Sequence, residues 1–95
     1  MVGAFTVQLA QSAAGDLDGI PDRLRSQIVE AIKSLADNLV PTGSGVKKLK
    51  GFKPPLYRLR SGDYRVLYRI QSSAILIMRI IDRKELERTI KRLRL

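Results

Sequence analysis

The sequence predicts a single small α+β domain with the element order β-α-α-β-β-β-α and a mainly antiparallel sheet. Two N-terminal helices are expected to pack on that sheet, together with a basic C-terminal helix. Three observations support this fold: a short alternating segment near the N-terminus, a long apolar stripe of helical period, and three strand-like segments in the second half. A chain of 95 residues has room for one compact domain, which covers residues 1–95.

The first half of the chain predicts one strand and two helices. Apolar and polar residues alternate over residues 4–10, which is typical of a strand with one buried face. The buried face would consist of Phe5, Val7 and Leu9. A short helix should follow, and its apolar face would consist of Ala13, Leu17 and Ile20.

A second and longer helix is predicted after Pro21, which suits a first helical turn because its missing N–H costs nothing there. Its apolar stripe consists of Leu24, Ile28, Ala31, Ile32, Leu35 and Leu39. A segment that favours turns ends this helix, and it contains Pro41, Gly43, Ser44 and Gly45. The basic residues 47–51 and the pair Pro54-Pro55 then lead to the second half.

Residues 57–70 predict a β-hairpin. If Ser61-Gly62 is a two-residue turn, Arg58 lies opposite Arg65 and Leu59 lies opposite Tyr64. The period of two separates an apolar face from a basic face. The apolar face consists of Tyr57, Leu59, Tyr64, Val66, Tyr68 and Ile70. The basic face, which should meet a partner, consists of Arg58, Arg60, Arg65 and Arg69. The three tyrosines therefore favour core packing over base stacking.

The C-terminal quarter predicts a buried strand and a helix. Residues 74–81 are nearly all apolar, as in a strand buried on both faces, and Arg79 alone interrupts them. Because an unpaired buried charge is costly, Arg79 should point to a groove or pair with a carboxylate such as Asp82. Residues 83–95 should form a docked helix with a basic outer surface, and its apolar face would consist of Leu86, Ile90 and Leu93.

The positive charge is concentrated in the second half of the chain. The formal net charge is +9; residues 1–45 carry three bases and five acids, whereas residues 46–95 carry fifteen bases and four acids. Such asymmetry favours a polyanionic partner. RNA or DNA is the first candidate, and an acidic protein or a lipid surface is the second. The alternative is that Lys and Arg only keep a small protein soluble.

The residue types exclude several kinds of catalysis. The sequence has no His and no Cys, which removes imidazole bases, thiol nucleophiles and the commonest metal ligands. We expect no cofactor and no metal. A basic groove that binds an RNA phosphodiester remains plausible, because RNA carries its own nucleophile, the 2′-hydroxyl. No apolar run is long enough to span a bilayer and no signal peptide is recognisable, so we expect a soluble, cytoplasmic protein without a membrane partner.

Three segments resemble the RelE/ParE toxin superfamily, RelE-like branch. They are Leu49-Lys50-Gly51, the stretch YRLRSGDYRVLY at 57–68, and Asp82-Arg83-Lys84-Glu85-Leu86. The resemblance implies a toxin of a type II toxin–antitoxin system, an mRNA interferase that enters the ribosomal A site and cleaves the codon there. Its 2′-hydroxyl chemistry leaves a 2′,3′-cyclic phosphate and a 5′-hydroxyl. The implied partners are a cognate antitoxin, the ribosome and mRNA, with operator DNA contacted only through the antitoxin.

The resemblance also implies roles for individual residues. Arg65 would contact the scissile phosphate with Arg58 beside it, and Arg83 would stabilise the transition state or protonate the leaving group. Many relatives have His and Tyr where this sequence has Asp82 and Glu87. Glu87 is a candidate general base, although an exposed acid is more often solvated or ion-paired. The residues expected to hold RNA backbone are Lys47, Lys48, Lys50, Arg60, Arg79, Lys84 and Arg88.

Two other functions remain open from the sequence. The chain could resemble the ParE branch of the superfamily, whose members poison DNA gyrase. It could also be a catalytically degenerate RelE homologue that still binds antitoxin or ribosome, because the His and Tyr of many relatives are replaced here. Arg65 has a structural alternative as well, since it could form a cross-strand ion pair with a C-terminal carboxylate.

Overall fold

The computed structural model describes residues 5–38 and 45–94. These residues form the elements β1 (Thr6–Leu9), α1 (Gln11–Asp18), α2 (Asp22–Asn38), β2 (Val46–Leu49), β3 (Leu56–Ser61), β4 (Tyr64–Gln71), β5 (Ala74–Asp82), a 3-10 turn (Arg83–Glu85) and α3 (Leu86–Leu93). The strands build one sheet in the order β1-β5-β4-β3-β2, in which β1 is parallel to β5 and the other pairs are antiparallel. The predicted α+β fold is confirmed, and the structure adds strand β2 to the predicted order.

Strand β2 was not predicted, and its sequence explains why. Val46 pairs with Leu59 and Leu49 pairs with Leu56, so the two apolar residues of β2 lie three positions apart and on opposite faces of the sheet. Val46 packs against one core and Leu49 against the other. A short edge strand that serves both cores has no period-two pattern to detect.

The sheet separates two cores of unequal size. The larger core lies between the sheet and the helices α1 and α2. Its buried members include Ala13, Ile28, Ile32, Leu59, Val66, Tyr68, Ile75, Ile77 and Ile80. The smaller core lies under α3 on the opposite face. Its buried members are Phe52, Leu56, Leu67 and Ile81, with Leu86, Ile90 and Leu93 of α3 packed against them. No helix among the described residues is long and apolar enough to cross a membrane.

The β3–β4 turn lies one residue later than predicted. Gly62 and Asp63 form the turn, so Ser61 pairs with Tyr64 and Arg60 with Arg65. The predicted register was therefore wrong: the structure pairs Arg58 with Leu67 and Leu59 with Val66. Gly62 has a φ of 57°, a left-handed conformation that suits glycine in a two-residue hairpin turn.

The predicted separation of apolar and basic faces nevertheless survives. Moving the turn by one residue on each strand changes the pairing by two, and side chains alternate with a period of two. Tyr57 and Tyr68 still lie on the face of the larger core, where their rings stack with centroids 5.4 Å apart. Tyr68 is 1% exposed, which confirms its predicted core position.

Strand β1 is shorter and more exposed than predicted. It covers Thr6–Leu9, and Val7 and Leu9 are 40% and 45% exposed, so the prediction that they are buried was wrong. The alternating pattern predicts a strand with one face completely buried. Strand β1 instead lies at the edge of the sheet, where neighbouring elements leave both faces exposed. Leu24 of α2 is also partly exposed, at 36%. The predicted positions of Leu39, Pro41, Gly43 and Ser44 lie outside the described residues.

Asp16 closes the edge of the sheet where β1 ends. Strand β1 stops at Leu9, opposite Ile77, and β5 continues to Asp82. The Asp16 carboxylate accepts hydrogen bonds from the Ile80 backbone N–H at 2.8 Å and from Arg79 Nε and Nη2 at 2.8 and 3.1 Å.

Arg79 is therefore paired with Asp16, and Asp82 was the wrong predicted partner. The hydrogen bond to Asp16 is the main reason that the pKa of Arg79 is raised, with burial opposing it. Asp82 instead accepts a hydrogen bond from the backbone N–H of Lys84 at 2.8 Å and so begins the 3-10 turn. Of the two predicted roles for Arg79, the ion pair is the one observed, and its partner lies on α1, far away in sequence.

We expect Asp16→Ala to lower the free energy of unfolding by about 2–4 kcal/mol, because it leaves a half-buried guanidinium and a strand N–H without their acceptor. Urea unfolding measures the change. Asp18→Ala, an exposed carboxylate on the same helix, is the matched control and should change stability by less than about 0.5 kcal/mol. In a double-mutant cycle, Asp16→Ala should lower the free energy of unfolding by much less when Arg79→Met is already present. Additive losses would contradict the pairing.

Stability should also depend on the ionisation of Tyr68 at high pH. Burial, followed by the neighbouring Tyr57, raises the pKa of Tyr68 to about 12. An unfolded tyrosine ionises near pH 10, so this contribution to stability is complete below pH 10 and is lost as the pH rises towards 12. By pH 11 the loss should reach about 1 kcal/mol. Urea unfolding of wild type and Tyr68→Phe at pH 9 and pH 11 measures it, because phenylalanine cannot ionise. A difference that stays constant between the two pH values would refute the prediction.

Candidate functional site

The hairpin and the segment after β5 bring four arginines together. Arg60 on β3 lies directly opposite Arg65 on β4, and Arg58 is two residues before Arg60 on the same face. Side chains directly opposite on antiparallel strands are neighbours on one face. Arg83, the first residue of the 3-10 turn, is close enough to act on Arg65 electrostatically. We call Arg58, Arg60, Arg65 and Arg83 the arginine cluster.

Arg65 is at the centre of this cluster. The pKa of Arg65 is lowered by burial first, then by the charges of Arg58, Arg60 and Arg83, while Asp63 alone acts in the opposite direction. Arg65 Nη1 donates hydrogen bonds to the carbonyl oxygens of Gly62 and Tyr64, both at 2.9 Å. The guanidinium is therefore held at the hairpin turn among like charges, in an arrangement that favours a bound anion. Arg65 thus bonds to backbone carbonyls of the hairpin, whereas the predicted alternative was an ion pair with a C-terminal carboxylate.

Asp63 connects the C-terminal segment to the hairpin turn. Its backbone carbonyl accepts a hydrogen bond from the Arg83 N–H at 2.8 Å, and its carboxylate lies 3.8 Å from Arg83 Nε. Sequence reasoning assigned Asp63 no role. The signal that could have found it is its place in a tight turn next to Arg65, where a short acidic side chain can reach neighbouring groups.

Arg58 offers a hydrogen-bond donor to the cluster. Its side chain is half-buried, and its Nε is buried without a hydrogen-bond partner among the described residues. Lys47 of β2 lies directly opposite Arg58, so one more cation shares this face. A buried donor without an acceptor carries a free-energy cost, which an anion oxygen would remove.

The other predicted residues lie outside the arginine cluster. Glu87 is exposed in the first turn of α3. It lines an open depression with Lys84, Arg88, Lys91 and Arg92. Lys48 pairs with Tyr57 and so belongs to the opposite sheet face from Lys47, while Lys50 follows β2. Of the predicted catalytic set, the structure brings together Arg58, Arg65 and Arg83 and leaves Glu87 on the outer surface of α3.

The site can bind and stabilise negative charge. Guanidinium groups match phosphate oxygens in geometry and keep their charge across the physiological pH range. Within the described part of the chain, no group of three or more Asp or Glu residues could hold a metal ion. The arginine cluster can stabilise and position an anion, with Asp63 as the carboxylate beside it.

Comparisons with known proteins identify the family. The sequence model described as the ParE toxin of the type II toxin–antitoxin system parDE matches residues 7–87. RelE1 of Methanocaldococcus jannaschii is 32% identical over 83 residues, which cover 85% of this chain and 91% of the relative.

Solved structures agree with this result. The archaeal RelE–RelB complex of Pyrococcus horikoshii matches with a TM-score of 0.72 and 28% identity, covering 85% of this chain and 97% of that one. The toxin–antitoxin complex RelBE2 of Mycobacterium tuberculosis matches with a TM-score of 0.69 and 28% identity, covering 84% and 99%. The chain thus belongs to the RelE/ParE superfamily of type II toxin–antitoxin toxins, in its RelE-like branch.

Proposed function

We propose that this toxin is an endoribonuclease that cleaves mRNA in the ribosomal A site and thereby inhibits translation. The observation that carries the proposal is the position of Arg65 between Arg58, Arg60 and Arg83, with Asp63 as the carboxylate that acts on it. A phosphodiester is the anion in RNA that such a cluster fits best, because several guanidinium forks can surround its oxygens.

The proposed reaction uses the 2′-hydroxyl of the RNA. Its oxygen attacks the adjacent phosphorus while the P–O5′ bond breaks, which gives a 2′,3′-cyclic phosphate and a 5′-hydroxyl. One proton passes from the 2′-oxygen to a base, either Glu87 or solvent water, and one proton passes to the departing 5′-oxygen from Arg83 or solvent water. Arg65 and Arg58 bind the non-bridging oxygens, and Arg83 stabilises the charge that develops in the transition state or protonates the leaving oxygen.

The fold prepares the cluster before the substrate arrives. Backbone carbonyls hold the Arg65 guanidinium, and the Asp63 carbonyl fixes the backbone of Arg83, so Arg65 needs little rearrangement when a phosphate binds. Like charges repel one another in the free protein, and the growing negative charge of the transition state relieves that repulsion. Such preorganised electrostatic stabilisation is worth roughly 10²–10³-fold in rate for one donor in other enzymes.

We propose a cognate antitoxin as the inhibitory partner. The similar chains from P. horikoshii and M. tuberculosis are described in toxin–antitoxin complexes, one of them with RelB. An antitoxin for this chain would supply acidic and apolar side chains that cover the basic sheet face or displace α3. The smaller core beneath α3 provides the apolar surface that displacement would uncover.

We expect Arg65→Gln and Arg83→Gln each to reduce cleavage by about 10²-fold or more, because each removes stabilisation of the transition state. The assay maps mRNA 5′ ends on stalled ribosomes and identifies the product termini. Arg23→Gln removes one exposed charge on α2 and should leave the rate unchanged. Glu87→Gln tests the general base: a comparable loss would assign the proton transfer to Glu87.

Two outcomes would contradict the proposed function. Growth arrest without codon-phased cuts would point to another target, such as DNA gyrase, which a supercoiling assay tests. Cleavage that persists in Arg65→Gln and Arg83→Gln would show that the arginine cluster is not the catalytic site.

Relief of charge repulsion should also appear in thermal stability. Arg60 is exposed, and its charge acts on Arg65. We expect Arg60→Gln to raise the Tm by about 1–3 °C at low ionic strength, because it removes repulsion and little packing. The gain should vanish near 1 M salt, where the Debye length is about 3 Å. Calorimetry at both salt concentrations measures it, with Arg23→Gln as control. A Tm that is unchanged at low salt would show that the cluster is not strained by its charges.

A further inference from the structure

A second group of cations lies near the other end of α3. A depression of about 370 Å³ is bordered there by three cations, and its described lining contains no carboxylate. The lining consists of Gly51, Phe52, Lys53, Arg69, Leu93 and Arg94. A neighbouring depression shares residues 51–53 and adds Lys48 and Lys50. Because the two depressions share residues 51–53, Lys50, Lys53, Arg69 and Arg94 border one continuous surface.

Arg69 brings a buried donor to this surface. It lies four residues after Arg65 on β4 and so on the same sheet face, roughly 13 Å away at about 3.3 Å per residue. Its side chain is half-buried, and its Nε is buried without a hydrogen-bond partner in the described parts of the chain. Buried N–H groups are nearly always paired, so an anion oxygen at this donor would supply the acceptor that the described residues do not.

Arg94 is held in place beside it. Its Nη2 donates a hydrogen bond to the Lys50 carbonyl at 3.1 Å, and its guanidinium carbon lies 5.3 Å from the centre of the Phe52 ring. A guanidinium has five N–H donors, and the bond to Lys50 uses one of them. The Arg94 guanidinium also covers the Phe52 ring by stacking on it. The surface therefore presents a fixed positive charge, which suits an anion, and not an open apolar pocket.

We infer that Lys53, Arg69 and Arg94 form a second phosphate-binding site, which holds the RNA backbone at a distance from the reacting phosphate. The phosphate chemistry follows from the cations and the unpaired donor, and RNA as its source rests on the proposed function. Arg69 lies roughly 13 Å along β4 from Arg65, and the C-terminal end of α3, in place of the hairpin turn, borders this site. The second site therefore contributes affinity and orientation, and the bond that breaks lies elsewhere.

RNA binding tests the site through its salt dependence. Each lost phosphate contact on single-stranded RNA lowers the log–log slope of affinity against salt by about 0.7. We expect Lys53→Gln/Arg69→Gln to lower the slope for a 20-nucleotide single-stranded RNA by about 1.4, measured by fluorescence anisotropy. Lys53→Gln alone should lower the slope by about 0.7. Because Lys53 is exposed, this single variant tests the site even if the double variant misfolds. The control Arg23→Gln/Lys33→Gln removes two cations from α2. Equal slopes for the control and the site variants would overturn the inference.

Inorganic phosphate tests the same site without RNA. In NMR spectra of the Arg69 and Arg94 Nε–H groups, phosphate should produce shifts that saturate, and chloride at equal ionic strength should not. The shifts should persist in Arg65→Gln, because the two sites are separate. Identical responses to phosphate and chloride would overturn the second site. Saturable phosphate shifts without any RNA binding would instead locate the failure in the proposed ribonuclease function.

Discussion

The pairing of β3 with β4 through the Gly62–Asp63 turn is the interaction on which the site depends. It places Arg60 opposite Arg65, and it presents carbonyl oxygens that hold the Arg65 guanidinium. It also positions Asp63, whose backbone and carboxylate hold Arg83. Residues from two strands and a distant turn thus converge because one tight turn satisfies several donors at once.

The same hairpin explains how one small domain combines a packed apolar core with a cluster of like charges. The face with Tyr57 and Tyr68 packs against α1 and α2, while the alternate positions carry arginines. Gathering like charges costs stability, and the larger core on the opposite face offsets that cost. An acidic residue of the N-terminal half contributes directly where Asp16 pairs with Arg79 and closes the sheet edge.

The sequence predicted those features that depend on local periodicity. The faces of the hairpin, the helix over Asp22–Asn38 and the amphipathic α3 all follow from it. Periodicity could not locate the turn, because two registers that differ by two residues give the same faces. It also could not find β2, whose ends serve different cores, or the partner of Arg79, which lies 63 residues away in sequence. For the site, residue types indicated Arg58, Arg65 and Arg83, whereas the role of Asp63 required the geometry of the turn.

The alternation across β3 and β4 restricts how this chain can change in length. Deleting or inserting one residue within either strand would turn the arginines into the larger core and expose Tyr57 and Tyr68, so both the core and the site would be lost together. A change of two residues would preserve both faces and move the arginines by one pair. Homologous hairpins of this kind should therefore vary in length by even steps, and odd steps should be accompanied by a bulge such as the one that β5 has beside Leu67 and Tyr68.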